Sequence, residues 1–257
     1  MAKKHPVTPH ISGPPIPDFV DAITTYESCL GHGTFGVVLK TKIATDFYAV
    51  KFILLNQTLL DEGTRREFDI PNSLEKHENV VNNHNFLEKK VLSVSQVAKI
   101  IQLSPPLYIE ARYKEQLLKG APIEWTCIQM KLCGRSLRHW LDDLKPPKDS
   151  IFTQMKQAVI VESLMNGLKF LHDRNVIHRD LKPENIMFTN FEYELPVKIG
   201  DFGLARWIRP EDGSELTSRV GTRCYMAPEV LDGKYSYQAT LSKMARFEEK
   251  SPRALFS

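Results

Sequence analysis

An aspartate, an asparagine and a second aspartate stand in this chain at spacings that suit the transfer of a phosphoryl group. The run His178-Arg179-Asp180-Leu181-Lys182-Pro183-Glu184-Asn185 is followed by Asp201-Phe202-Gly203. In that chemistry the carboxylate of Asp180 accepts the proton of a substrate hydroxyl, Lys182 neutralises the moving group, and Asn185 and Asp201 hold magnesium. A lysine placed just after the catalytic carboxylate favours serine or threonine hydroxyls over tyrosine. The bland alternative is a buried turn whose polar residues fall there by coincidence, and it has to produce both motifs in the right order.

Upstream residues supply a matching nucleotide site. Leu30-Gly31-His32-Gly33-Thr34-Phe35-Gly36-Val37-Val38 is a glycine-rich loop, in which missing side chains let backbone N–H groups approach phosphates. Alone it reads equally well as a bare glycine hairpin. Tyr48-Ala49-Val50-Lys51 follows at the distance of the next strands, so Lys51 is the expected ligand of the α- and β-phosphates of ATP. Lys51 needs a carboxylate to hold it, and Glu67 in the polar stretch 61–69 is the first candidate, with Glu62 the alternative. Trp125 to Met130 reads as a buried strand ending at a hinge, Lys131-Leu132-Cys133-Gly134. There the backbone of Lys131 and Cys133 is expected to bond the purine, with Val38 and Ala49 against its faces. Met130 either sits behind the ring or only packs the core. The expected ATP contacts are thus Leu30, Gly31, Gly33, Phe35, Gly36, Val38, Ala49, Lys51, Met130, Lys131 and Cys133.

The elements that position these groups follow from periodicity. Strands are expected at about 26–30, 37–41 and 47–54, packed on a helix that carries Glu67. Residues 151–172 repeat apolar side chains at helical spacing over about six turns, which predicts a core helix. It feeds the short strand Val176-Ile177 before Asp180, and Val197 to Gly200 is a second short strand before Asp201. Residues 6–17 are rich in proline and predict an extended lead-in, with folded chain from about Phe19. The stretch 103–121, with Pro105-Pro106 and mixed charge, predicts a loop.

These motifs resemble the eukaryotic protein kinase family over about residues 20–238. The resemblance implies an α+β, two-lobed fold: a small antiparallel sheet with one helix, then an incomplete, mainly α large lobe. The domain reading is a disordered lead-in over 1–18, a small lobe over 19–133 with an insert at about 89–124, a partial large lobe over 134–238 and an atypical tail over 239–257. Three segments are similar to the kinases of the α subunit of translation initiation factor 2. They are the hinge phrase Ile128 to Cys133 leading into Ser136 to Leu141, the insert, and Thr217-Ser218-Arg219-Val220-Gly221-Thr222 ahead of Tyr225-Met226-Ala227-Pro228-Glu229. That narrower resemblance implies this α subunit as substrate, translational control as the role and pairing through the small lobe. It also implies regulatory phosphorylation at Thr217, bound by Arg179, with Thr222 either a second phosphosite or a hydroxyl that contacts Asp180 and Lys182.

Composition sets the limits. With 257 residues, 42% apolar and 25% charged, the chain suits about one compact kinase domain or slightly less. A formal charge of +3 gives no case for nucleic acid, and no apolar run is long enough to span a membrane. The four cysteines lack metal-ligand spacing, so reduced thiols and a cytoplasmic location are expected. Two departures from the family stand out. Pro71, four residues after Glu67, is expected to kink or end that helix where the family places a large apolar residue beneath Phe202, with Ile70 as substitute. The sequence after Glu229 is short, so the alternative reading is a truncated, non-catalytic isoform or pseudokinase that binds ATP or a kinase partner.

Overall fold

The computed structural model describes residues 18–33, 36–54, 61–105, 108–118, 120, 122–143 and 150–207. Three antiparallel strands open the fold: β1 (Ile23–Gly33), β2 (Gly36–Ile43) and β3 (Asp46–Leu54). Helix α1 (Asp61–Ser73) precedes β4 (Asn83–Val91), then come helices α2 (Val94–Leu103) and α3 (Tyr108–Leu118), and β5 (Glu124–Lys131). The five strands form one sheet in the order β1-β2-β3-β5-β4.

Register explains what each face of this sheet does. Val38 pairs with Lys51 and Lys51 with Ile128, while Ala49 pairs with Met130 and Met130 with Asn83. Directly paired residues share a face and alternation is two-fold. Val38, Ala49, Lys51, Ile128, Met130 and Asn83 therefore line the face towards α1 and the large lobe. The opposite face carries Leu39, Val50, Phe52, Leu54, Trp125 and Cys127, all buried in one apolar cluster with Phe19 and Val20.

The insert supplies the rest of that cover, and here the structure corrects the expected loop over 103–121. Helix α3 occupies most of it, and α2 lies just before it. Ser93 caps α2 by accepting from the Gln96 N–H at 3.3 Å, while the Gln96 side chain accepts from the Ser93 N–H at 2.8 Å. Val97 and Ile100 of α2 and Ile109 of α3 are buried against the sheet, and Tyr113 packs on Trp125. Mixed charge concealed α3, because its polar residues are its outer face: Lys114 pairs with Glu110 one turn away at 2.6 Å. The strands on either side of the insert are β4, which runs to Val91, and β5, which starts at Glu124. The insert adds two helices to the one expected in the small lobe. The first described residue, Asp18, pairs with Lys90 of β4, and Lys90 also holds Asp21 at 2.7 Å.

Pro71 lies in the last turn of α1, which ends two residues later at Ser73, close to the break expected at the proline. The carbonyl that Pro71 leaves without its intrahelical donor is that of Glu67, and the side chain of Asn83 donates to it at 2.9 Å. The Ser73 hydroxyl closes the helix end by donating to the Ile70 carbonyl at 2.9 Å.

The large lobe begins with α4 (Leu137–Asp143) and α5 (Ile151–His172), whose ends match the apolar repeat read in the sequence. Ser150 caps α5 by accepting from the Thr153 N–H at 3.2 Å. Ile160, Leu164, Leu168 and Leu171 are buried in a second core cluster. The first turns of α5 depart from the expected core helix: Phe152 is 80% exposed and Met155 61%. Short pairs β6 (Val176–Ile177) with β9 (Arg206–Trp207), and β7 (Ile186–Met187) with β8 (Lys198–Ile199), frame the loops that follow. Residues 1–17 and 208–257 lie outside the described residues, as do the expected lead-in, the partial large lobe beyond Trp207 and the tail. No helix among the described residues is long and apolar enough to cross a membrane.

Candidate active site

The site lies between the inner face of the small sheet and the loops of the large lobe. Lys51 projects from the middle of β3 onto α1, where its Nζ lies 2.6 and 2.7 Å from the two carboxylate oxygens of Glu67. The alternative partner, Glu62, is not needed. Burial alone favours the neutral amine, but Glu67 and Asp201 outweigh it and hold the Lys51 ammonium above the ordinary lysine range. For Glu67, burial pushes the carboxyl up, and the nearby Asp201 charge adds to it against the pull of Lys51. Asp201 reaches the same ammonium at 3.9 Å with its side chain 47% exposed. One cation thus gathers a buried and an open carboxylate.

Asp180 sits in a second, adjoining group. Asn185 donates to the Asp180 backbone carbonyl at 2.9 Å and to its Oδ2 at 3.2 Å, and Lys182 Nζ lies 2.8 Å from the same Oδ2. Burial works against the Lys182 ammonium, yet its hydrogen bond to Asp180 and that carboxylate's charge raise it above the ordinary value. Asn185 closes a 3₁₀ turn, Pro183–Asn185, which leads directly into β7.

His178 joins the two groups. Its ring is buried, accepts from the Asp180 N–H on Nδ1 at 3.4 Å, and so carries its proton on Nε2, which donates to the Gly200 carbonyl at 2.9 Å. Burial holds this imidazole below its usual pKa, keeping it neutral. Phe202 stands edge-on to it at 5.1 Å between centroids and is buried in a cluster with Ile70 of α1. Ile70 and Phe202 are thus both buried in one core, while Pro71 follows Ile70 in α1. Arg179 and Asp201 both hold a left-handed backbone, at φ 66° and 60°. Such conformations persist in non-glycine residues only where the surroundings over-determine them, at a cost of order 1–3 kcal/mol each.

The loop between α1 and β4 anchors this floor. Asn79 accepts from the Ile199 N–H and Val81 donates to the Ile199 carbonyl, both at 2.9 Å, while Asn79 Nδ2 donates to the Val197 carbonyl at 3.0 Å. The strand before Asp201 is thereby tied to the small lobe. At the hinge the Lys131 N–H donates to the Asn82 carbonyl at 3.0 Å, and Cys133 is buried. Gly134 has a packing reason for its identity: a Cβ there would fall 1.6 Å from the Asn190 carbonyl oxygen. Gly36 has one too, since its Cβ would meet the Phe52 carbonyl oxygen at 2.2 Å, whereas beside Gly31 the space is open. Gly33 pairs with Gly36 across the β1–β2 turn. Leu30 and Val38 are half-buried near that turn, and Thr34 and Phe35 lie outside the described residues.

The structure therefore brings together Lys51, Glu67, Asp180, Lys182, Asn185 and Asp201, and sets Val38, Ala49 and Met130 on the sheet face beside them. Thr217 and Thr222 lie outside the described residues. Arg179, expected to bind a phosphate at Thr217, donates from Nε to the Leu204 carbonyl at 2.7 Å. Sequence reasoning missed Asn79, Asn83 and the role of His178. Only Asn83 had a signal, the proline four residues after Glu67.

Residues 24–242 match the model of the protein kinase domain. Over 217 residues, 84% of this chain, it is 30% identical to calcium-dependent protein kinase 3 of Plasmodium yoelii yoelii, covering 33% of that protein. The same identity and span hold for calcium-dependent protein kinase 3 of Plasmodium berghei (strain Anka), of which 32% is covered. The chain thus spans about a third of the length of these curated relatives.

Proposed function

We propose, from the premise that this chain belongs to the protein kinase family, that it transfers the γ-phosphoryl group of ATP to a serine or threonine hydroxyl of a protein. The observation that carries this reading is the joint geometry of Asp180, Asn185 and Lys182 beside Asp201 and the Lys51–Glu67 pair. Asp180 would take the hydroxyl proton, its carboxylate bonded by Asn185 and Lys182. Lys182 brings a positive charge to the atom where negative charge gathers. Lys51, fixed by Glu67, offers its ammonium to the α- and β-phosphates.

The residues fit nucleotide with magnesium. Asn185 and Asp201 present hard oxygen donors, and Asp201 is open to the cleft. Among the described residues no group of three or more His, Cys, Asp or Glu could hold a metal by itself. That suits an ion completed by phosphate oxygens and water. When bound, magnesium would neutralise charge developing between the β- and γ-phosphates, with Asp201 and Asn185 as its protein ligands. The hinge carbonyl of Lys131 and the backbone of Cys133 would orient the purine between Val38 and Ala49.

The finer reading names the α subunit of initiation factor 2 as substrate and the cytoplasm as the place of action. It is supported by the hinge phrase Ile128 to Cys133 and by the insert, now a pair of helices on the small lobe; the relatives found carry a different name. A second reading is a chain that binds nucleotide without turnover, for which the exposed Phe152 and Met155 at the start of α5 are the observation.

The test is phosphate transfer from radiolabelled ATP to purified initiation-factor α subunit and to a general serine/threonine substrate. Label that disappears in Asp180→Asn while ATP binding persists is the expected result. Label on the general substrate alone would overturn the α-subunit assignment, and ATP binding with no label on either would establish the non-catalytic reading.

A further inference from the structure

Pro71 and Asn83 form a matched pair across the candidate site. Pro71 has no N–H, so the carbonyl of Glu67, one helical turn earlier, lacks the donor that α1 would otherwise supply. Asn83 Nδ2 donates to that carbonyl at 2.9 Å. It does so from the first residue of β4, where Asn83 pairs with Met130, which pairs in turn with Ala49. The row of the sheet expected to face the purine is thus bonded through one carboxamide to the backbone of the residue that holds Lys51.

We infer that Asn83 is a positioning residue: its side chain replaces the N–H that Pro71 lacks, fixes the turn of α1 carrying Glu67, and so sets the Lys51–Glu67 pair relative to the purine-facing row. The inference rests on the kinase reading and adds to it a residue that touches neither nucleotide nor substrate. Two further contacts leave the bond decisive. Phe68 stacks on Phe86 at 4.7 Å, and Arg65 reaches Glu88 at 3.1 Å, both between α1 and β4. They hold the helix against the strand, yet neither meets the Glu67 carbonyl. Without Asn83 that carbonyl turns towards another donor, and the Glu67 side chain turns with it.

Four proteins test this: the parent, Asn83→Ala, Pro71→Ala and the double variant, each titrated with ATP by calorimetry and assayed for phosphate transfer. Asn83→Ala is expected to weaken ATP binding and lower turnover by about tenfold, the loss of one part-buried hydrogen bond. In the Pro71→Ala background, where alanine restores the N–H, the same change is expected to cost less than about threefold. A merely structural role would lower the thermal midpoint of Asn83→Ala with kcat and ATP affinity unchanged, and that result overturns the inference. An equal loss in both backgrounds also overturns it. A parent that binds ATP but transfers no phosphate sinks the kinase reading, and the ATP titrations still decide this one; a parent that binds no ATP sinks both.

Discussion

Replacing Lys51 with methionine tests the electrostatics of the site independently of turnover. Both members of the Lys51–Glu67 pair are buried, with side chains 14% and 8% exposed, so removing the ammonium strands a carboxylate in a poorly solvated place. Removing one partner of such a pair costs about 3–5 kcal/mol. Asp201, which loses the same cation at 3.9 Å, is half in solvent and adds only about 1 kcal/mol. Against a net stability of about 5–15 kcal/mol this is a large fraction. Urea unfolding of the parent, Lys51→Met, Glu67→Leu and the double variant should give a double variant more stable than the summed single losses by about 3 kcal/mol. The cost also carries a pH signature. Burial raises the Glu67 carboxyl, and without Lys51 nothing opposes that rise. The folded variant then binds a proton that the unfolded chain, with an ordinary glutamate near pH 4.3, does not. The penalty is therefore full at high pH and shrinks as pH falls through the raised folded value. Additive losses, or a Lys51→Met penalty under about 1 kcal/mol that ignores pH, would refute the reasoning.

The insert helices should behave as core rather than as surface loop. Ile100→Ala, at a fully buried position of α2, is expected to cost about 2–5 kcal/mol in urea unfolding, and a loss under about 0.5 kcal/mol would remove α2 from the small-lobe core. Gly134→Ala would put a Cβ 1.6 Å from the Asn190 carbonyl oxygen, so calorimetry should show a lowered thermal midpoint, the overpacking costing about 1–3 kcal/mol or more; an unchanged midpoint would contradict the close approach. His178 and His172 are both held below the ordinary imidazole value by burial. Below about pH 6.5 the unfolded chain therefore takes up protons that the folded chain refuses, and stability should fall by up to about 1.4 kcal/mol per pH unit for each such histidine. A thermal midpoint that stays level or rises from pH 7.5 to 6 would oppose this.

What the sequence determined alone was the chemistry and its order along the chain. Asp180, Asn185 and Asp201 lie in short segments whose spacing is set by local backbone geometry, and α5 was legible to its end residues because its apolar repeat is long and uninterrupted. Strands β1 to β3 were placed correctly and only underestimated in length, since their β-branched alternation fades at the polar ends. Helix α3 was hidden, because its buried Ile109 and partly buried Tyr113 become meaningful only against Trp125 on a strand that follows it. The choice of Glu67 as the partner of Lys51 also waited for tertiary structure, which brings its carboxylate to 2.6 Å from the ammonium. Pro71 shows the division most clearly. Its ring dictates that the Glu67 carbonyl lacks an intrahelical donor, and that much is local. That Asn83 supplies the missing donor was decided by tertiary structure, because the sheet register sets it beside that carbonyl.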